Sequence, residues 1–373
     1  MIKKLLTLIF IINGIYGFSQ SDFEILKETD FDNYYISSYF KSFYTNDTIE
    51  LISRIQEKNS NSVNLSVAKF TDSIFISERV ISNKDFIAFK DIFKTQDNYI
   101  ITGTIYPDNS ETEQDYIGAY NIQGFEIWNL LLDKKYEGIY NAKIIDKKIH
   151  IISSGLDGLN SYIISNEGKL INSNKLPQNG FPLISDFIDN DALIISVKLN
   201  SNGETENWII DWFDKDFNLK LQSAPEFEKQ FFPIKILSYN DKILIVGNLD
   251  NNNGFIPIVY IFDRELHLLQ QSELHYQPHN YKFKNDFKIN DIKLINEKIY
   301  CAGTTKIRGI ETYIIFKLKD YKIIKYRLLN KTAGIWNSCG LLDLNNGKLI
   351  FIGDTEKSDY ESIIKMIKIE KKQ

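Results

Sequence analysis

The stretch 240–247 reads NDKILIVG, and it returns in altered form as NEKIYCAG at 296–303, NGKLIFIG at 346–353 and DNYIITG at 97–103. Each phrase is a turn followed by a strand. Asn, Asp and Gly favour tight turns, and the Ile, Leu, Tyr and Phe that follow suit a pleated, packed surface. Taking the first apolar residue of each phrase as an anchor gives Ile49, Tyr99, Ile149, Leu193, Ile243, Ile299 and Leu349, at intervals of 50, 50, 44, 50, 56 and 50. A fixed period of roughly 40–50 residues marks propellers and solenoids. Helical repeats of that length need amphipathic segments of 3.6-residue period. Here the segments are short, rich in Ile, Phe and Tyr, and bounded by Asn, Asp or Gly, which is the pattern of strands.

Each unit holds four strand-like runs. In the fifth they are FFPIKILS (231–238), KILIVGN (242–248), FIPIVYIF (255–262) and LHLLQQSEL (266–274), with the tight turn DRE between the last two. Four antiparallel strands per unit, seven times over, predict an all-β, seven-bladed β-propeller. Clean alternation of apolar and polar residues is rare because blades pack face to face and bury both sides of each sheet. Gly103, Gly247, Gly303 and Gly353 close the second strand where backbones crowd, while the third and fourth units carry Ser153 and Val197 there. The last unit ends one strand short after SIIKMIKIE, and DFEILKE (22–28) precedes the first unit as a strand without one of its own. Pairing 22–28 with 362–369 would close the ring and remove its edges.

The second unit, IITGTIYPDNSETEQDYIGAYNIQGFEIWNLLL, with Gly124 in its turn and Trp128 in its last strand, resembles the blades of secreted bacterial propellers of the kelch-like and quinoprotein-like kind; the sixth unit keeps CAGT. The resemblance is one of pattern over almost the whole chain. The double glycine of true kelch repeats is absent, as are the Gly-His/Trp-Asp pair of WD repeats and the Asp-box of sialidases. It therefore implies the fold and carries over no catalytic residue.

The chain has 373 residues, 43% of them hydrophobic, which is enough to build a sizeable core, and a formal net charge of −5. That balance argues against a nucleic-acid partner, which calls for a basic face. Met1, Lys3 and Lys4 precede the apolar run LLTLIFII, and Gly17 and Ser19 supply small residues before a cut between Ser19 and Gln20. Residues 1–19 are therefore expected to be a signal peptide and 20–373 a single propeller domain, secreted or periplasmic. The apolar run is shorter than the ~20 residues of a spanning helix, so no membrane span is expected.

No G-x-S-x-G, H-E-x-x-H or P-loop occurs, and no metal or cofactor is expected. His275 and His279 have i, i+4 spacing, but Pro278 breaks any helix between them. NLDNNNG (248–254) resembles a calcium loop, yet its Gly comes one place late and Val259 stands where a bidentate Glu is needed. Trp128, Trp208, Trp212 and Trp336 offer a sugar platform or, more simply, fill gaps between blades. Cys301 and Cys339 fall in neighbouring blades about 10 Å apart, beyond the ~7 Å reach of a disulfide, so two free buried thiols are expected.

One set of residues converges geometrically. The first strand of each blade lines the axial channel, and eight residues before the anchors stand Lys41, Asp91, Asn141, Ser185, Lys235, Asp291 and Leu341. The six polar ones are the candidate ligand ring, against the simpler possibility of polar groups satisfying one another around channel water. With a full set of repeats and no catalytic signature, the sequence favours a binding or scaffolding module for a protein or glycan. The alternative is a propeller enzyme, a glycan hydrolase or lyase using loop carboxylates.

Overall fold

The computed structural model describes residues 23–371 except 32–35, 57–63, 72–73, 83–85, 96, 107–112, 133–135, 156–157, 178, 252–253, 276–286, 308–309, 333–338, 345–347 and 359–360. The expected signal peptide, His279 and Trp336 lie outside the described residues. All the regular structure among the described residues is strand. β1 (Phe23–Phe31) is followed by β2 (Ile36–Thr45), β3 (Thr48–Gln56), β4 (Asn64–Thr71) and β5 (Ile74–Ser82). The next group is β6 (Phe86–Lys94), β7 (Asn98–Ile105), β8 (Gln114–Asn121) and β9 (Glu126–Leu132). Then come β10 (Tyr136–Ile145), β11 (Lys148–Gly155), β12 (Gly158–Ser165) and β13 (Leu170–Lys175), and β14 (Phe181–Ile188), β15 (Asp191–Leu199), β16 (Thr205–Phe213) and β17 (Leu219–Ser223). β18 (Phe231–Tyr239), β19 (Lys242–Asp250), β20 (Phe255–Phe262) and β21 (Leu268–Glu273) precede β22 (Phe287–Ile295), β23 (Lys298–Ile307), β24 (Ile310–Lys319) and β25 (Lys322–Thr332). β26 (Cys339–Asp343), β27 (Lys348–Ser358) and β28 (Glu361–Lys371) end the chain.

The strands form six sheets, where the sequence intervals predict seven. Five are four-stranded antiparallel meanders, and the sixth has eight strands. The larger sheet joins β26-β27-β28 to β2-β3-β4-β5 through a single parallel bridge, Ile36 to Ser362, and β1 lies on the other part of β28. The described sheets therefore number six, not the expected seven. β1 runs antiparallel to β28 from Phe23 opposite Lys371 to Phe31 opposite Ile364, with a bulge between Ile25 and Lys27.

The repeated phrase is explained by its turns. Asn46-Asp47, Asp146-Lys147, Asn240-Asp241 and Asn296-Glu297 all have positive φ at both positions. A two-residue hairpin with two left-handed residues matches the twist of the strands it joins, and Asn and Asp tolerate that backbone best. The second and third strands that follow are buried on both faces, as in β7 and β8, whereas the outer β13 is exposed along its length.

Apolar layers fill the spaces between neighbouring strand groups. One joins Ile188, Leu193 and Trp212 to Ile236, Ile245 and Tyr260, and others follow between each successive pair. The series returns on itself: Leu342, Leu344, Ile350 and Ile352 of the last group pack on Ile49, Leu51, Ala68 and Phe70 of the first. Cys301 lies in the layer on one side of the β22–β25 sheet and Cys339 in the layer on the other. Both are free and buried, as the blade spacing requires. Trp208 stacks in such a layer against Phe227 and Phe231 at 5.1 and 5.7 Å, and the Trp128 and Trp212 indoles bond Asn166 and Asp191.

The first strands share a β-bulge. It falls at Phe40, Lys90, Tyr140, Leu183, Ile234 and Asn290, each skipped in the pairing with the second strand. Opposite the residue before each bulge stand Ser53, Gly103, Ser153, Ser196, Gly247 and Gly303. The requirement is thus for a small residue, and in the fourth unit Ser196 meets it rather than Val197. A methyl group on Gly247 would fall on the carbonyl oxygen of Phe232, and one on Gly303 on that of Lys288.

Asp115 is enclosed between β8 and β11, 2% exposed, with the Ser153 hydroxyl donating to it at 2.5 Å. Burial pushes its carboxyl up to about 6, against the opposing pull of Ser153 and Lys90.

Two outcomes follow from this packing. Gly247→Ala or Gly303→Ala is expected to cost about 1–3 kcal/mol by forcing the first strand away, read as a lower urea midpoint with an unchanged m-value. The unfolded chain loses the Asp115 proton near its ordinary value, whereas the fold keeps it to about pH 6. Stability present at low pH is therefore lost as pH rises across roughly pH 4 to 6, by on the order of 3 kcal/mol. Asp115→Asn should flatten that slope in urea titrations run at several pH values; an unchanged slope would rule the assignment out.

Candidate functional site

The innermost strands neighbour one another in cyclic order: β6 with β10, β10 with β14, β14 with β18, β18 with β22, β22 with β26 and β26 with β2. The Lys41 ammonium of β2 meets the Asp91 carboxylate of β6 at 2.5 Å and completes the circle. The bulge sets which side chains face the axis. Ile92, Ala142, Ile236 and Ile292 point into the layers between sheets, so their neighbours Asp91, Asn141, Lys235 and Asp291 point the other way.

Ser185 departs from the expected ring. In β14 the residue after the bulge is Ile184, paired with Ile195, so Ser185 takes the inward place that Ala142 and Ile236 hold elsewhere, and is 4% exposed. The cause is a shift in the anchor. Asp189 and Asn190 make the turn, so Ala192 is the equivalent of Ile149 and Ile243, and counting back from Leu193 lands one residue late. The polar group that the fourth strand does send to the axis is Asp186. Its carboxylate meets the Lys235 ammonium at 2.8 Å and also accepts the Phe187 N–H at 2.9 Å. Leu341 is likewise buried, packed with Tyr313 and Phe351, because β26 has no bulge to turn it outward.

The axial cluster is therefore Lys41, Asp91, Asn141, Asp186, Lys235 and Asp291. Burial disfavours the Lys235 ammonium, yet the carboxylates of Asp186, Asp291 and Asp91 together hold it above its ordinary range. Lys41 also lies over the Phe93 ring at 4.7 Å. Asn141 donates to the Ser185 carbonyl at 2.6 Å, and Asp291 accepts the Ile292 and Leu341 N–H groups at 2.8 and 2.9 Å. Two carboxylates are thus paired with lysines, and the third accepts backbone N–H groups. This arrangement holds neighbouring strands together. Outside the channel, Asp115 and Asp211 have carboxyls raised by burial, and each is enclosed, 2% and 1% exposed.

A second feature lies at the face where the second and third strands connect. Phe181, Leu183, Leu199 and Phe232 are large apolar residues left exposed there, Phe181 pairing with Val197 and Phe232 with Asn248 near those hairpin ends. β14 and β18, which carry three of them, are neighbours. Among the described residues no group of His, Cys, Asp and Glu is arranged to hold a metal, and the first three residues of NLDNNNG, Asn248, Leu249 and Asp250, are part of β19, paired with Pro257, Ile256 and Phe255. Among the described residues no helix is long and apolar enough to cross a membrane.

No protein-family description matches the chain, and no curated protein matches it in sequence. Solved structures do match in fold. A protein of unknown function from Dyadobacter fermentans aligns over 94% of this chain and 99% of its own with a TM-score of 0.56 at 11% identity. A polysaccharide lyase of family PL25, an ulvan lyase bound to -[GlcA(1-4)Rha3S]-, aligns over 90% and 95% with a TM-score of 0.57 at 6% identity. The β-propeller domain of the trilobed protease from Pyrococcus furiosus, described as having an open velcro topology, aligns over 92% and 97% with a TM-score of 0.51 at 10% identity. At these identities the likeness shows the architecture alone: the chain is an all-β propeller of antiparallel, four-stranded blades.

Proposed function

We propose that this protein is a secreted or periplasmic propeller that binds a protein or a glycan without transforming it. In this reading the eight-stranded sheet acts as two blades, so that the ring counts seven, and β1 closes the last of them. The observation that carries the binding role is the state of the carboxylates. Lys41 holds Asp91 at 2.5 Å and Lys235 holds Asp186 at 2.8 Å, while the carboxyls raised by burial are enclosed. The exposed Phe181, Leu183 and Phe232 supply contact surface of the kind that interfaces use. The leader-like segment 1–19 supports a place outside the cytoplasm.

The enzyme alternative draws on one feature, the three carboxylates of Asp91, Asp186 and Asp291 gathered about Lys235. A glycan array on the chain from Gln20 onward, with parallel assays for reducing ends and unsaturated uronates, separates the two. Retention of a glycan or of a defined protein ligand is expected, weakened about tenfold or more by Phe181→Ser with Phe232→Ser, with no product released. Product formation that Asp186→Asn abolishes would overturn the binding role.

A further inference from the structure

A cavity of about 570 Å³ opens between the β2–β5 group and the β6–β9 sheet, beside the turn that joins β2 to β3. Its lining includes Tyr44, Thr48, Glu50, Lys69 and Lys94. Glu50 is the one fully buried charged residue there, 3% exposed. One of its oxygens accepts from the Lys69 ammonium at 3.0 Å; the other accepts from Lys94 and from the Tyr99 hydroxyl, each at 2.9 Å. Burial disfavours the Glu50 carboxylate, but the bonds from Lys94, Lys69 and Tyr99 outweigh that and hold its carboxyl below the usual range.

The cluster holds the cations Lys69 and Lys94 against the single anion Glu50, and the Arg79 guanidinium bonds Tyr99 beside them. Each ammonium has three N–H donors, and the bond to Glu50 uses one, so two per lysine remain beyond it. Asp47, in the turn beside the lining, is exposed and accepts the Tyr44 hydroxyl at 2.8 Å. The Thr48 hydroxyl donates to the Asn46 carbonyl at 3.3 Å, which leaves its lone pairs as acceptors. The Tyr44 ring adds a flat apolar surface against which C–H groups pack. The complementary molecule has one anionic group for the lysines, hydroxyl donors for Thr48 and an apolar face for Tyr44. The volume suits one or two rings of that kind.

We propose that this cavity binds a uronic acid, with Lys69 and Lys94 holding its carboxylate and Glu50 positioning both ammonium groups. The site lies at the turns between first and second strands, the opposite end from Phe181 and Phe232, and its occupancy does not depend on what that patch binds. The test is calorimetric titration of the full chain with sodium glucuronate, glucose, acetate and free glutamate. Glucuronate is expected to bind and glucose not to. Lys94→Gln should weaken glucuronate about tenfold or more, and Thr48→Val severalfold with the melting temperature retained. If Lys94→Gln does not fold, Thr48→Val and a loss of affinity with rising salt decide the matter. Absence of heat with glucuronate, equal binding of acetate or glutamate, or an affinity indifferent to the folded variants would overturn the proposal.

Discussion

Among the described residues the second and third strands of the sheets are apolar on both faces, and that constraint dictates the rest. A single such sheet exposes too much hydrocarbon to exist in water. Stacking sheets in a row would leave two bare faces at the ends, whereas a ring leaves none. The packing obeys that logic, since Leu342, Ile350 and Ile352 at the end of the chain cover Ile49, Leu51 and Phe70 near its start. Most of the polarity falls in the two places such a ring leaves wet, the axial channel and the outer strands, with Glu50, Asp115 and Asp211 as buried exceptions.

The bulge in the first strand converts this apolar arrangement into one with a polar axis. By skipping one residue, it sends Asp91, Lys235 and Asp291 inward while keeping Ile92, Ile236 and Ile292 in the layers. It also brings the first strand's backbone close to the second, which is why Ser53, Gly103, Ser153, Ser196, Gly247 and Gly303 are all small. The same geometry reaches from one sheet to the next. The Arg54 guanidinium donates to the Phe89 carbonyl at 3.3 Å, and the Asn248 amide exchanges bonds of 3.0 and 2.9 Å with the Ile289 backbone.

The architecture was legible because its period is enforced by turns that only a few residue types can make. Asn240-Asp241 and Asn296-Glu297 advertise hairpins, and the spacing between them repeats. The axial site was only partly legible. Lys41, Asp91, Asn141, Lys235 and Asp291 keep a constant offset from their turns, so counting found them. The fourth unit has a turn at Asp189-Asn190 that puts Ala192 where other units place an Ile, and an anchor defined by the first large apolar residue slips to Leu193. The true register puts the apolar Ile184 at the offset that holds Asn141 and Lys235 elsewhere, and the polar group, Asp186, comes two residues later. A one-residue error in a strand exchanges its two faces, so the mistake was complete rather than slight. The Glu50 cluster was invisible for a different reason: Glu50, Lys69 and Lys94 come from three strands with no common spacing, and only the packing of two sheets brings them together.

Closure of the ring through β1 is the part of the proposal that the pairing of β1 with β28 makes testable. Thr29 stands directly opposite Met366 in the antiparallel pair of β1 with β28. Cα atoms so placed are about 4.5–5.5 Å apart, within reach of a disulfide. Thr29→Cys with Met366→Cys, oxidised and examined by mass spectrometry without reductant, measures the closure directly. A bond within one molecule, formed readily and raising the melting temperature, is the expected result. No bond, or one that forms only between two molecules, would contradict the closed ring.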